Sequence, residues 1–469
     1  MIAVIHPHDF YGTFRVPASK SHTVRRLIMA SLTDGISEIY DPLDSLDTRS
    51  CICVCRSLGA EISEQTIYTE NEKYSPPRTK WTVRRHPISE NSRCNAGNSG
   101  TTFYLALAAA SLGSAEVVLD GDEMLRRRSA APLLDALAAL GIKVNSAPGG
   151  CAPVSIQGPW KGGRVNLPCP TSQYLSALLL AAPLAPAGTF TEIDVPLLNE
   201  KPYIEMTLSY LKEQNIALEF SNDFSYFHIP GGAVYKPING PVPGDFSSAA
   251  FPACAALVSN DKQVPASQTI SANQVLASQN ESLILTGLDP HDTQGDKKFF
   301  DMLQKMDCRV KWEQKIDDAE PGILSGFRLP EWQLTLSIDG PLKSGTFDLN
   351  ATPDLLPVMA VMAVFAQGET RLVNAAHARI KETDRISVMA AELGKLGAEI
   401  TERPDGLVIQ GMAGKKLKGA KLDSRGDHRI AMALACAALA ADSRTEISGA
   451  ESAAITYPGF MELLKADII

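Results

Sequence analysis

Along this chain, runs of almost wholly apolar residues begin directly after clusters of small polar and charged ones. The change falls near Arg26, Gly100, Ser172, Ser247, Asp354 and His428, and the runs that follow are rich in Ala. A segment that is apolar on every side predicts a helix buried on every side, unlike a surface helix with one dry stripe. The six starts lie 72 to 75 residues apart, with one longer interval of 107. Such a period marks an internal repeat with one insertion in the fourth copy. The insertion is expected around 260–345, at the polar stretch Asn260 to Ser282 and the segment Gln314 to Trp332, as surface loops or hairpins.

A second, amphipathic helix is expected in every copy, leading into a short strand. Its exits read Cys55 to Ile62, Leu137 to Val144, Leu211 to Leu218, Leu303 to Val310 and Leu393 to Ile400, and the sixth copy closes at Phe460 to Leu464. Gly or Asn after the last turn accepts the left-handed backbone that ends a helix. The unit is therefore a βαβαββ-type repeat of the α/β (α+β) class. One such unit cannot bury its own helices. Three packed together can, with helices inside and sheets outside, so six copies predict two domains. The first is expected to span 18–242. The second is expected to combine 1–17 with 243–469, with crossings near Val16-Pro-Ala18 and Pro241-Val-Pro-Gly244.

Composition narrows the function more than the fold. The 469 residues are 45% hydrophobic and 21% charged, an ordinary globular balance, with a net charge of −9. That acidity argues against nucleic-acid or anionic-membrane partners, and any site for an anionic ligand must be built from locally gathered cations. No signal peptide is expected in Met1 to Val16, and the long uncharged stretch Val165 to Thr191 is broken by four prolines, so no membrane span is expected. Nine scattered cysteines fit a reducing cytoplasm. The Cys51, Cys53, Cys55 run lacks a partner pair at metal-site spacing and is expected to be buried as small apolar residues; no metal is expected.

The candidate chemistry sits at the helix starts, where unpaired N–H groups and a partial positive charge suit phosphates and carboxylates. The motifs are Pro17-Ala-Ser-Lys-Ser-His-Thr-Val-Arg25, Asn95-Ala-Gly-Asn-Ser-Gly-Thr-Thr102, Arg126-Arg-Arg128, Thr171-Ser-Gln173, Gly244-Asp-Phe-Ser-Ser248, Asn350-Ala-Thr-Pro-Asp354, Arg379-Ile-Lys-Glu-Thr-Asp-Arg385 and Gly426-Asp-His-Arg429. Singly, most have an ordinary reading as helix caps, a turn, or a solvated charged face.

In this order and together, the motifs resemble the enolpyruvyl transferase family, from about Gly12 to Phe460, and within it the branch whose acceptor is shikimate 3-phosphate. The resemblance implies a two-domain inverted-gate fold, three repeats per domain, closing over substrate. It implies transfer of the enolpyruvyl group of phosphoenolpyruvate to the acceptor's 5-hydroxyl with release of phosphate, without metal or organic cofactor; a cytoplasmic monomer is the accompanying expectation. Residue by residue, Lys20, Asp354 and Glu382 match the catalytic groups. Lys20, Gly100, Thr101, Arg128, Gln173, Arg385 and Arg429 match phosphoenolpyruvate contacts. Lys20, Ser21, Arg25, Thr171, Ser172, Gln173, Tyr203, Asp354, His377 and Lys381 match contacts to shikimate 3-phosphate.

Three positions depart from the family pattern, while Ile455 occupies a position that is Lys in some members and apolar or polar in others. Tyr104 stands where the resemblance implies Arg, and His377 where it implies Asn. Glu200 replaces a Ser or Thr at the acceptor phosphate, so it must turn away, pair with a cation, or serve another acceptor. The alternatives are an enolpyruvyl transferase with a different acceptor and a weakly active ligand-binding paralogue. A sister enzyme using a UDP-amino sugar is disfavoured, because the loop Glu123 to Ser129 lacks the Cys that the resemblance would require.

Overall fold

The apolar runs form helices with no exposed face. In the computed structural model, Gly100–Ala110, Phe246–Ser259 and His428–Leu439 are buried along their whole length. Residues 1–67, 78–87, 91–259, 282–315, 331–338, 340–412 and 414–469 are described. The two stretches expected to hold the insertion lie almost entirely outside the described residues. Each buried helix still needs partners for its first N–H groups, and polar residues at its start supply them. Ser19 accepts from the His22 N–H, Ser99 from Thr102, Asp245 from Ser247 and Ser248, and Asp427 from Arg429 and Ile430.

One boundary differs from expectation. The first buried helix is Lys20–Ser31 and starts well before Arg26. Lys20, Ser21 and His22 read as the polar approach to an apolar run, yet Ser19 caps the helix ahead of them, so they form its first turn. Lys20 is consequently held by helical backbone and not by a loop.

Around each buried helix the chain builds the same four-stranded sheet. In one copy, Ser92–Asn95 and Val117–Asp120 run parallel on either side of the Gly100 helix, as a parallel pair joined by a crossover helix must. The amphipathic helix Ala131–Ala139 follows, then the antiparallel strands Lys143–Ala147 and Cys151–Gln157. The spatial order is first, second, fourth, third, and all six sheets among the described residues share it. The unit is βαβαββ.

Three sheets borrow a strand from a distant part of the chain. Asn239–Pro241 pairs with Ile36–Tyr40, Gly12–Arg15 with Leu283–Thr286, and Ile2–Ile5 with both Thr445–Ser448 and Asp467–Ile468. The result is two compact units. The first comprises Ala18–Val242, with three sheets and its own apolar core. The second joins Met1–Pro17 to the described residues from Pro243 onward, with three sheets and a separate core. No described helix is long and apolar enough to cross a membrane.

The exits of the amphipathic helices repeat more faithfully than their residues do. Gly59, Gly141, Asn215, Asp307, Gly397 and Lys465 all have positive φ. Ala60, Ile142, Ile216, Ala398 and Ala466 then donate their N–H to the carbonyl five residues back, which closes the last turn. Expecting Gly or Asn at this place overlooks Asp307 and Lys465, which adopt the same left-handed backbone at some cost in strain. The cysteine run also differs in part: Cys51 and Cys55 are buried as expected, but Cys53 is exposed, and all nine cysteines are free.

Gly397 isolates the backbone effect, because φ is +93° and a Cβ there would meet nothing within 4 Å. Gly397→Ala is expected to destabilise the protein by about 1 kcal/mol through left-handed strain alone. Urea unfolding of the variant checks this; an unchanged midpoint would refute it.

Candidate active site

In the first unit, the polar helix starts converge through a set of hydrogen bonds. Arg25 is fully buried. Its Nε donates to Thr207 Oγ1 at 3.0 Å, and its Nη2 to Ser176 Oγ and the Tyr203 carbonyl, each at 3.3 Å. Its Nη1 donates to the Ser21 carbonyl one turn earlier, and the guanidinium lies 5.9 Å from the Tyr203 ring centroid. Burial lowers its pKa to about 10, with Tyr210, Tyr203 and Glu200 opposing that fall, so it stays cationic at neutral pH. Lys20 forms an ion pair with Asp47 at 3.1 Å, both side chains being largely covered.

The second and third starts meet at a glutamine. Gln173 Nε2 donates to Thr101 Oγ1 at 3.0 Å, and a Cβ placed on Gly100 would lie 3.1 Å from Arg128 and 3.5 Å from Gln173. Glycine there lets the two side chains approach the helix start closely. Arg128 donates to Asn98 Oδ1 at 2.5 Å. The other arginines of the triplet go elsewhere: Arg126 makes a bidentate pair with Asp120, and exposed Arg127 pairs with Glu123. Arg126, with help from the Gly121 N–H and Arg93, lowers the Asp120 carboxyl to about 2 against a smaller opposing effect of burial. Tyr104 packs edge-on against Tyr174, and both hydroxyls donate to the Ser129 carbonyl. A neutral packing residue thus stands where the family pattern implied a cation.

Glu200 resolves one of the expected departures. It is fully buried, sits at φ +59°, and turns its carboxylate into the third helix start. Oε2 accepts from Ser172 Oγ at 2.9 Å, the Ser172 N–H at 3.1 Å and Thr171 Oγ1 at 3.2 Å. It does not turn away from these hydroxyls.

In the second unit, Arg385 gathers the carboxylates. Nη1 donates to Asp354 Oδ1 at 2.7 Å, Nη2 to Glu382 Oε2 at 2.5 Å, and Nε to Asp427 Oδ2 at 2.8 Å. Arg429 Nη2 lies 2.9 Å from the other Asp354 oxygen. Burial disfavours the Arg385 charge, but Asp427, Glu382 and Asp354 outweigh it and hold its pKa above the usual arginine value. His377 is buried in the short turn Ala376–Ile380, and half-buried Lys381 follows it. The rest of the charged run is structural. Arg379 pairs with Asp384 and Glu402 and donates to the carbonyls of Arg403 and Pro404, while Asp384 caps the helix Arg385–Lys395. Ile455 lies in the short helix Ala450–Ile455, with no described role at this cluster.

Sequence reasoning assigned no role to two buried acids at this cluster. Asp427 both pairs with Arg385 and caps the helix of Arg429. Asp296 is 2% exposed, accepts from Ser247 at Oδ2, and has no described hydrogen-bond partner at Oδ1. Burial first, then the nearby Asp354 and Asp245, push its carboxyl up to about 7 against the opposing Arg429 and Ser247. An acid in Gln294-Gly-Asp296, directly before an apolar-faced helix, was the available signal.

Comparison with known proteins gives a consistent answer. A family model described as EPSP synthase (3-phosphoshikimate 1-carboxyvinyltransferase) matches residues 4–464. A 3-phosphoshikimate 1-carboxyvinyltransferase of Acetivibrio thermocellus is 42% identical over 466 residues, covering 99% of this chain and 97% of its own. One of Ruminiclostridium cellulolyticum is 40% identical, covering 99% and 98%. The EPSP synthase structure from Acinetobacter baumannii aligns with a TM-score of 0.73 at 25% identity, covering 99% of this chain and 97% of that one. The fold of six βαβαββ units in two domains is the inverted-gate architecture, and with these relatives it defines an enolpyruvyl transferase. The chain belongs to the EPSP synthase family. It is an enzyme of the shikimate pathway, which leads to the aromatic amino acids.

The Asp296 carboxyl provides a test of this geometry. Unfolded, it titrates near its ordinary value of about 4; folded, near 7. As pH rises the unfolded chain releases this proton first, so its contribution to stability is complete below about pH 4 and lost by the time pH passes about 7. The melting-temperature difference between Asp296→Asn and the wild type should therefore climb in favour of the variant from about pH 5 to pH 8. The expected gain is roughly 5–10 °C, since two pH units amount to about 2–3 kcal/mol and about 1 kcal/mol moves a domain of this size by roughly 2–4 °C. A difference that does not change with pH would refute the assignment.

Proposed function

We propose that this chain adds the 5-hydroxyl oxygen of shikimate 3-phosphate to C2 of phosphoenolpyruvate and then expels phosphate. One observation carries the reading: buried Arg385 ties Asp354 and Glu382 together, with Arg429 on the second Asp354 oxygen. A pair of oriented carboxylates beside guanidinium groups is what proton transfer between two anionic substrates needs. Asp354 takes the hydroxyl proton as the C–O bond forms, and C3 gains a proton from Glu382 or Lys20. The tetrahedral intermediate then loses phosphate from C2 while C3 returns a proton, which restores the vinyl group.

Each unit has its own share of the work. In the first, Lys20, Ser21, Arg25, Thr171, Ser172, Gln173 and Tyr203 receive the acceptor, and Gly100, Thr101, Arg128 and Gln173 receive phosphoenolpyruvate together with Lys20. In the second, His377 and Lys381 contact the acceptor, Asp354 faces its hydroxyl, and Arg385 and Arg429 neutralise phosphoenolpyruvate. The reaction needs no metal or organic cofactor. Nine free cysteines support a reducing cytoplasmic setting, and the working form is a monomer.

Phosphate release from phosphoenolpyruvate, measured with and without shikimate 3-phosphate, is the direct test. Release should depend on the acceptor. Lys20→Met and Asp354→Asn should each lower turnover by about 10²–10⁴-fold, the range for a lost acid–base group. Circular dichroism should be unchanged for Lys20→Met, whose side chain ends an ion pair at a helix start and fills no apolar core. Near wild-type turnover in either variant would remove that residue from the reaction.

A further inference from the structure

We infer that the Glu200 carboxylate is an internal competitor for the seat of the acceptor's phosphate, and that it must swing out for a phosphorylated acceptor to bind. This rests on the reading that Arg25, Thr171, Ser172 and Tyr203 receive that phosphate. The seat is a set of donors converging on one oxygen: the Ser172 N–H at the start of the helix Gln173–Ala181, the Ser172 hydroxyl and the Thr171 hydroxyl. Such a set recognises an anionic oxygen by charge-assisted hydrogen bonds and carries no preference for carbon over phosphorus behind it. Glu200 Oε2 takes all three, and its charge also acts on the buried Arg25 guanidinium. A phosphate oxygen needs the same donors, and a second buried anion beside the carboxylate would be repelled.

The chain holds the competitor in place deliberately enough to resist accident. Glu200 is fully buried and accepts left-handed backbone, an unfavourable conformation for a residue with a long side chain. The residues before it are anchored: the Asn199 N–H donates to the Cys169 carbonyl, and Leu198 bridges to Cys169. After it, Lys201–Glu213 begins at once, with the Tyr203 N–H donating to the Glu200 carbonyl. With the backbone fixed on both sides, exchange of carboxylate for phosphate falls to the side-chain torsions. The consequence is a selective penalty on every phosphorylated acceptor, set by how firmly Glu200 is held.

The test compares Glu200→Ser, Glu200→Gln and Ser172→Ala in the full-length protein. Glu200→Ser should lower the KM for shikimate 3-phosphate at least fivefold. Inorganic phosphate, used as a probe competing with the acceptor, should inhibit at correspondingly lower concentration. Glu200→Gln keeps the volume but loses the charge and should move both quantities the same way; it decides the matter if Glu200→Ser fails to fold. Ser172→Ala should raise the acceptor KM. If Ser172→Ala acts but neither Glu200 variant lowers the KM, the seat stands and the competitor is overturned. A tenfold rise in KM on replacing Glu200 would likewise overturn it, because Glu200 would then be helping the acceptor. If Ser172→Ala leaves the KM unchanged, the phosphate seat itself is wrong.

Discussion

The second unit is organised around one buried guanidinium. Arg385 is 1% exposed and shares its donors among Asp354, Glu382 and Asp427. Taking such a charge out of water is costly, and only well-directed carboxylates offset it. Each partner is fixed by something else as well. Asp427 caps the helix that carries Arg429, Glu382 stands one turn before Arg385, and Asp354 is gripped from its other side by Arg429. The positions of the carboxylates are therefore consequences of satisfying one cation, and truncating Arg385 would leave three acids without their shared counter-charge.

The same economy governs how an acidic protein handles acidic ligands. At these clusters its cations and hydrogen-bond donors rest on carboxylates. Lys20 rests on Asp47, Arg385 and Arg429 on carboxylates, and the Thr171–Ser172 donors on Glu200. On the proposed reading, an arriving phosphate or carboxylate would exchange partners with groups already in place, so binding free energy would reflect a difference between two anions and not the full attraction of one.

Much of this was legible in the chain because it is periodic. Helices apolar on every side, spaced at a near-constant interval, give the repeat, and the motif order gives the family. What escaped was either conformational or long-range. The helix at Lys20 begins inside a polar stretch because a single Ser19 hydroxyl decides the boundary. Asp307 and Lys465 occupy left-handed exits that residue type does not announce. In the charged run ending at Arg385, two of the five charges serve the local fold: Arg379 clamps a loop and Asp384 caps a helix, and only three-dimensional pairing separates them from Glu382 and Arg385. Asp296 meets Asp354 across a gap in sequence that no pattern spans.

The cysteines give the molecule a set of silent reporters. Cys51, Cys55, Cys94 and Cys169 are buried in the first unit and Cys254, Cys308 and Cys436 in the second, while Cys53 faces solvent. Burial pushes the thiols of Cys94, Cys169 and Cys308 up to about 12, so their thiolates are scarce as well as shielded. A thiol reagent should mark exposed Cys53 immediately, half-buried Cys151 next, and the seven buried thiols only when their own unit opens. Because the two sets are divided between the units, the order in which peptides acquire label distinguishes loss of one core from loss of the other, in the unmutated protein and without any added probe.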